Sequence, residues 1–170
     1  MPITCTIADR IAEIVFDMPP VNAFDSETWL SIPGIVREAA SNPDVNCVLI
    51  RAAEDARGFC GGVDIKEMQA HPDRITVLNR GNYLTFKAIR DAEVPVVSAV
   101  HKFVIGGGIG ICGASDTIIA ADDAFFSLPE QERAQLLERG MIHRRADFFA
   151  LTVEQLVGLE RFGRRSAETL

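Results

Sequence analysis

The chain has 170 residues, of which 48% are hydrophobic, and a formal net charge of −7; such a length buries roughly 70% of the unfolded surface in one compact domain with room for a small appendage. No apolar run approaches the ~20 residues of a membrane helix, and Met1-Pro-Ile-Thr4 lacks the basic-then-apolar start of a secretory leader, so a cytoplasmic protein away from membranes is expected. The acidic balance argues against a general nucleic-acid coat, while a few local cations could still hold phosphates.

In chain order, Ile3–Ile7 and Ile11–Phe16 alternate apolar and polar residues around Ala8-Asp9, which predicts a β-hairpin. A helical pattern over 26–41 puts Trp29, Ile32, Val36 and Ala40 on one face, and Pro33 within it predicts a kink or a late start. Cys47–Ile50 reads as a buried strand, Asp73–Ala92 as a longer helix, Val94–Val100 as a strand and Gly107–Ala114 as a short helix. Thr117–Ala121 and Ala124–Ser127 are short strands joined by Asp122-Asp123. Strands and helices alternating in short units predict an α/β layered fold.

Past residue 131 the style changes. Residues 1–130 carry 10 Lys/Arg against 18 Asp/Glu, residues 131–170 carry 7 against 6, and all three lysines (Lys66, Lys87, Lys102) fall in the first part. Glu132–Arg139 and Val153–Leu159 read as short helices, the second capped by Thr152, with Phe162-Gly163-Arg164 as an interruption before another helical run.

Cys5, Cys47, Cys60 and Cys112 are widely spaced, with no C-x-x-C pair and no His at zinc-ligand spacing, so reduced, mostly buried thiols and no metal site are expected. His71, His101 and His143 have no partner at metal or triad spacing, and ordinary polar roles are expected for them. Asp116 reads as a capping or turn residue, and Cys60 as filler rather than nucleophile.

Two stretches carry the chemistry. Gly58-Phe-Cys-Gly-Gly-Val-Asp-Ile-Lys-Glu-Met68 and Phe103-Val-Ile-Gly-Gly-Gly-Ile-Gly110 each put glycines directly before a helix start, where the backbone can approach a ligand and unpaired amides point outward. Two such amides aimed at one oxygen make an oxyanion hole. Together with Pro19-Pro-Val-Asn-Ala23 and Phe126-Ser-Leu-Pro-Glu130, these motifs occur in the order and spacing of the enoyl-CoA hydratase/isomerase (crotonase) superfamily, which residues 1–133 resemble. Within it, Gly-Val-Asp-Ile-Lys-Glu-Met-Gln and Gly-Gly-Gly-Ile-Gly are most similar to the actinobacterial crotonases that hydrolyse a C–C bond in steroid-ring CoA thioesters.

The resemblance implies a spiral of ββα turns, an acyl-CoA thioester as substrate, no cofactor beyond the coenzyme A of that substrate, and a homotrimer or hexamer. It also implies that the oxyanion donors are the N–H groups of Val63 and Gly107, with Gly106 and Gly108 allowing close approach, and that Glu130 is the acid/base carboxylate. Val21, Ala23, Gly61, Gly62, Ile65, Phe103 and Ile105 fall on substrate-contacting positions; Asp64 could contact substrate or cap the helix that follows it, and Lys66 is a candidate for a CoA phosphate. A second family carboxylate would fall at position 110, which is Gly110. Hydration usually needs one group to activate water and another to protonate the α-carbon, so isomerisation or C–C hydrolysis is expected instead, both passing through an oxyanion whose loss of one donor costs on the order of 10²–10³ in rate.

Two rivals stand beside this. Gly108-Ile-Gly110-Ile-Cys-Gly113 fits the G-x-G-x-x-G dinucleotide fingerprint, although a helix of about eight residues is short for a Rossmann crossover. Residues 134–170 resemble a helix-hairpin-helix segment of bacterial NAD-dependent DNA ligases, cut off inside its last helix, whose Gly158 and Gly163 amides with Arg161, Arg164 and Arg165 would face phosphates. Nucleic acid is nevertheless not the expected partner. The crotonase resemblance stops just after Glu130, before the helices that complete the family's acyl pocket and trimer, so exposed apolar surface and poor turnover are expected.

Overall fold

The alternation at the start folds as a hairpin: β1 (Ile3–Ala8) and β2 (Ile11–Phe16) pair antiparallel from Ile3↔Phe16 to Ala8↔Ile11. Asp9 and Arg10 take the turn, one residue later than expected, at φ 49° and 64°; two left-handed residues match the twist of the flanking strands. The computed structural model describes residues 3–128.

β2 leads into a five-stranded sheet of order β1-β2-β4-β7-β9, completed by β4 (Cys47–Ala52), β7 (Val96–Val100) and β9 (Thr117–Ala120). Every pairing beyond the hairpin is parallel, which requires a crossover between neighbours. The crossovers carry β3 (Ala23–Phe24) with α1 (Ser26–Ala40), then β5 (Gly58–Cys60), β6 (Gly62–Val63), α2 (Ile65–Ala70) and α3 (Ile75–Arg90), then β8 (Phe103–Ile105) with α4 (Gly107–Ala114). With β10 (Phe125–Ser127), the short strands pair among themselves, β10-β8-β5 and β3-β6, again in parallel. Each turn of chain therefore lays one strand in the large sheet, adds strand to a small one and returns through a helix, as the spiral of ββα units requires.

The core lies under α1. Phe16, Phe24 and Trp29 are fully buried, with Phe16–Phe24 and Phe24–Trp29 edge-on at 5.0 and 5.3 Å, contacts worth about 0.5–1.5 kcal/mol each beyond area burial. Pro33 does not delay α1, which starts at Ser26 on an Asp25 cap. Its missing N–H frees the carbonyl of Trp29, and Thr85 Oγ1 of α3 donates to that oxygen at 3.2 Å. A neighbouring helix thus satisfies the acceptor that the proline orphans.

Other expectations shift at the edges. The long helix begins at Ile75, after one 3-10 turn at Pro72–Arg74. The cysteines divide: Cys60 and Cys112 are buried, whereas Cys5 is exposed and Cys47 half-buried, all four as free thiols. Cys5 is exposed because it sits on edge strand β1, where every residue after Ile3 is exposed. Apolar side chains remain exposed on the last strands, Ile119 at 59% and Phe125 at 45%. Glu130, His143, the short helices expected over 132–139 and 153–159, and the Gly158/Gly163 hairpin lie outside the described residues.

Candidate active site

The first glycine stretch forms a corner between β5 and α2. Gly61 N–H donates to Asn22 O at 3.1 Å and Asp64 N–H to Phe24 O at 2.9 Å, tying β6 to β3. Gly62, between those ties, breaks the extended run at φ 87° and donates its N–H to Cys60 Sγ at 3.3 Å. Asp64 caps α2, its carboxylate accepting from Lys66 N at 2.8 Å and Glu67 N at 3.4 Å. That favours the capping alternative for Asp64. α2 has no buried residue; it is held by Glu67, which accepts from Ser26 N and Oγ at 2.7 Å each and from Arg74 at 3.0 Å. The hydrogen bond from the Ser26 hydroxyl, helped by its amide and by Arg74, keeps the Glu67 carboxyl below the usual glutamate range.

The second corner is built differently. Gly106, at φ 52°, donates its N–H to Ser127 O at 3.3 Å, and Ile109 N–H to Gly106 O at 2.9 Å closes the first turn of α4. Gly107 and Gly108 are then the first helical residues, whose N–H groups have no acceptor within the helix. No side chain caps this start; packing fixes it. A Cβ on Gly107 would lie 2.7 Å from Trp29 Cη2 and 2.9 Å from Asn82 Oδ1, and one on Gly108 would lie 2.8 Å from Cys60 Cβ. Cys60 fills space: it is fully buried, and burial pushes its thiol up to about 12.

The two corners abut. A Cβ on Gly62, itself at φ 87°, would lie 3.2 Å from Ile105 O and 3.7 Å from Gly107 N, and one on Gly106 would lie 3.9 Å from Gly62 Cα. Val21 O would lie 2.8 Å from a Cβ on Gly61, and Ala23 pairs with Gly62. Val21, Ala23, Gly61, Gly62, Ile105, Gly106 and Gly107 are therefore neighbours, with Val63 next in line and Gly108 packed on Cys60. Three expected residues stand apart from this cluster. The Phe103 ring lies over Gly58 and edge-on to Phe125, while Ile65 and Lys66 are exposed on α2.

Position 110 gains a physical meaning. A Cβ on Gly110 would overlap the Phe86 ring of α3, so the direction in which a carboxylate would leave α4 is filled by an aromatic ring. Asn82 stands one turn earlier on α3, with Nδ2 donating to Leu78 O at 3.2 Å and a buried Oδ1 that has no partner. The indole Nε1 of Trp29 is likewise buried and unpartnered. Sequence reasoning missed Trp29, Asn82, Ser26 and Glu67. It also missed Asn22, whose side chain accepts from Met18 N at 2.7 Å and donates to Gly58 O at 3.1 Å, fixing the loop before β3. Asn22 lies within the quoted Pro-Pro-Val-Asn-Ala stretch and could have been found there.

The remaining polar residues take structural roles. Asp116 accepts from Val96 N at 2.8 Å, and His101 Nε2 lies 3.1 Å from Ala56 O. No cluster of three or more metal-binding side chains occurs among the described residues, and no helix among them is long and apolar enough to cross a membrane. The dinucleotide fingerprint fails on placement: Gly108, Gly110 and Gly113 all lie inside α4, whereas a Rossmann loop needs its first glycines in the turn before the helix.

Comparison with known proteins agrees with this geometry. The family described as enoyl-CoA hydratase/isomerase matches residues 6–136. A (7aS)-7a-methyl-1,5-dioxo-2,3,5,6,7,7a-hexahydro-1H-indene-carboxyl-CoA hydrolase of Mycobacterium tuberculosis is 42% identical, over 96% of this chain and 69% of its own length. The protein of the same name from Rhodococcus jostii is 47% identical, over 80% of this chain and 53% of its own length. The chain thus spans only about half to two thirds of these relatives. A solved enoyl-CoA hydratase/isomerase family structure from Hyphomonas neptunium superposes with a TM-score of 0.69 at 28% identity, covering 100% of this chain and 62% of that one. The chain belongs to the enoyl-CoA hydratase/isomerase family.

Proposed function

We propose that the chain binds an acyl-CoA thioester whose carbonyl oxygen is held by the N–H groups of Val63 and Gly107, and that it catalyses C–C hydrolysis rather than hydration. The observation that carries this reading is the abutment of the two glycine corners, with Gly62 against Ile105 O and Gly107 N. Fixed amides stabilise a developing oxyanion without reorganising, and the dipole of α4 adds to the field at Gly107.

Hydrolysis is favoured over hydration because Gly110 carries no carboxylate and Phe86 fills the space beside it. The dioxo-indene-carboxyl-CoA named for the two relatives suggests the substrate class, a CoA thioester bearing ring ketones. In such a reaction water adds to a ring ketone and its proton passes to a carboxylate, for which Glu130 is proposed. The C–C bond then breaks, its electron pair moves through conjugation to the thioester oxygen, and the proton returns to carbon. Gly61, Gly62, Ile105 and Gly106 would line the thioester, with Val21 and Ala23 beside the pantetheine. Lys66, exposed on α2, is free to reach a CoA phosphate. A cytoplasmic location and a trimeric or hexameric assembly belong to the same proposal, as does a domain limit near residue 133.

The test is a paired assay. The dioxo-indene-carboxyl-CoA thioester should be hydrolysed and crotonyl-CoA left unhydrated, with Glu130→Gln abolishing the first activity. Efficient crotonyl-CoA hydration that survives Glu130→Gln would refute the reading.

A further inference from the structure

Trp29 and Asn82 are the two side chains among the described residues that bury a polar atom without a partner, and both pack against Gly107. One is a donor and the other an acceptor. The Asn82 amide is oriented by Nδ2 donating to Leu78 O, which turns Oδ1 toward the start of α4. Trp29 is fully buried, its ring edge 2.7 Å from where a Gly107 Cβ would stand. An orphan buried acceptor costs about 1–3 kcal/mol, and buried polar groups of this kind are as a rule satisfied by an ordered water. With both side chains packed on the same glycine, one O–H group there could satisfy both, accepting from the orphan donor and donating to the orphan acceptor.

We infer that Trp29 Nε1 and Asn82 Oδ1 together hold a water molecule beside Gly107, and that this is the water that adds to the substrate's ring ketone. The inference rests on the acyl-CoA reading for the water's role, though not for its presence. It also accounts for the departure at position 110. Where a carboxylate on α4 would hold the water, Phe86 occupies the space, and the polar group is supplied one turn away on α3 by Asn82. In this arrangement Asn82 and Trp29 are positioning residues: neither takes the proton, which passes to the acid/base carboxylate.

The chain has a single tryptophan, so its indole N–H gives one unambiguous signal. In the free protein labelled with ¹⁵N, the indole proton is expected to show a direct magnetisation transfer to water at short mixing times, and Asn82→Leu is expected to abolish it. Asn82→Leu is close in shape but leaves the buried indole N–H without a partner, so some loss of Tm is expected; an unchanged near-ultraviolet circular dichroism spectrum below that Tm separates a lost water from a lost fold. Turnover of the dioxo-indene-carboxyl-CoA thioester should fall on the order of 10²-fold at unchanged KM in Asn82→Leu, and Trp29→Phe should fall in the same direction. An indole proton with no water contact, or one whose contact survives Asn82→Leu, overturns the inference. Wild-type turnover in Asn82→Leu overturns the assigned role. Titration with acetyl-CoA separates the two ideas: if no backbone resonance moves, the acyl-CoA reading falls and the role of the water with it, while the indole contact still reports whether the water is there.

Discussion

The two glycine corners are held in place by opposite means. The corner before α2 is held by hydrogen bonds to β3, by the Asp64 cap and by the Glu67–Ser26–Arg74 cluster, on a helix that buries nothing. The corner before α4 has no side-chain cap and is held by contact with Trp29, Asn82 and Cys60. The first should yield to changes in polarity and the second to changes in volume. A site that needs both amides at once therefore inherits two independent vulnerabilities.

The largest effect is expected where volume matters most. Gly107→Ala drives a methyl into the Trp29 ring and Asn82, and overpacking of this kind typically costs about 1–3 kcal/mol. Urea unfolding should show that loss, and Gly34→Ala, whose Cβ meets nothing within 4 Å, should show none of it. Equal behaviour of the two variants would remove the packing account of the second corner. Gly110→Glu belongs to the same class: alone it forces the Phe86 ring to move, and it should gain crotonyl-CoA hydration only when combined with Phe86→Ala. Hydration by the single variant would mean that Phe86 does not occupy the carboxylate's space.

Much of this comparison was legible in the residues, for reasons that differ by element. The hairpin and α1 follow from alternation and from a helical apolar stripe long enough to be unambiguous. The helix start at Gly107 was readable because the glycines, free to take a sharp turn, follow the apolar Phe103-Val-Ile105 and precede the apolar run Ile109-Gly-Ile-Cys112. β3, β5, β6 and β8 were not legible as strands, because two or three residues cannot display a period. Pro33 misled: a proline in a helix predicts a break, and the rescue comes from Thr85, more than fifty residues away in the chain. Asn82, Trp29 and Phe86 were invisible as site residues for the same cause, since their relation to α4 exists only through the packing of α3 and α1.

Smaller effects should come from the first corner. Asp64→Ala removes the cap of α2 and should cost about 1 kcal/mol, with a proportionally larger rise in amide exchange across 65–70 than in the strands. Glu67 gives a pH dependence of known sign. Its folded carboxyl lies below the ordinary glutamate value because Ser26, then Arg74, favour the charged form. The tether therefore contributes fully above the unfolded value of ~4.3 and is lost as pH falls through the lower folded value. The stability difference between wild type and Glu67→Gln should be present at neutral pH and vanish in acid; a difference that grows on acidification would contradict it.

The central claim is that one oxygen lies between the Val63 and Gly107 amides. The most direct measurement compares acetyl-CoA with free coenzyme A in ¹H–¹⁵N spectra of the full chain, since only the first carries a thioester carbonyl. Both amide protons should move downfield with acetyl-CoA, at the same midpoint, and stay in place with coenzyme A alone. Binding of acetyl-CoA that leaves either proton unmoved would contradict the account.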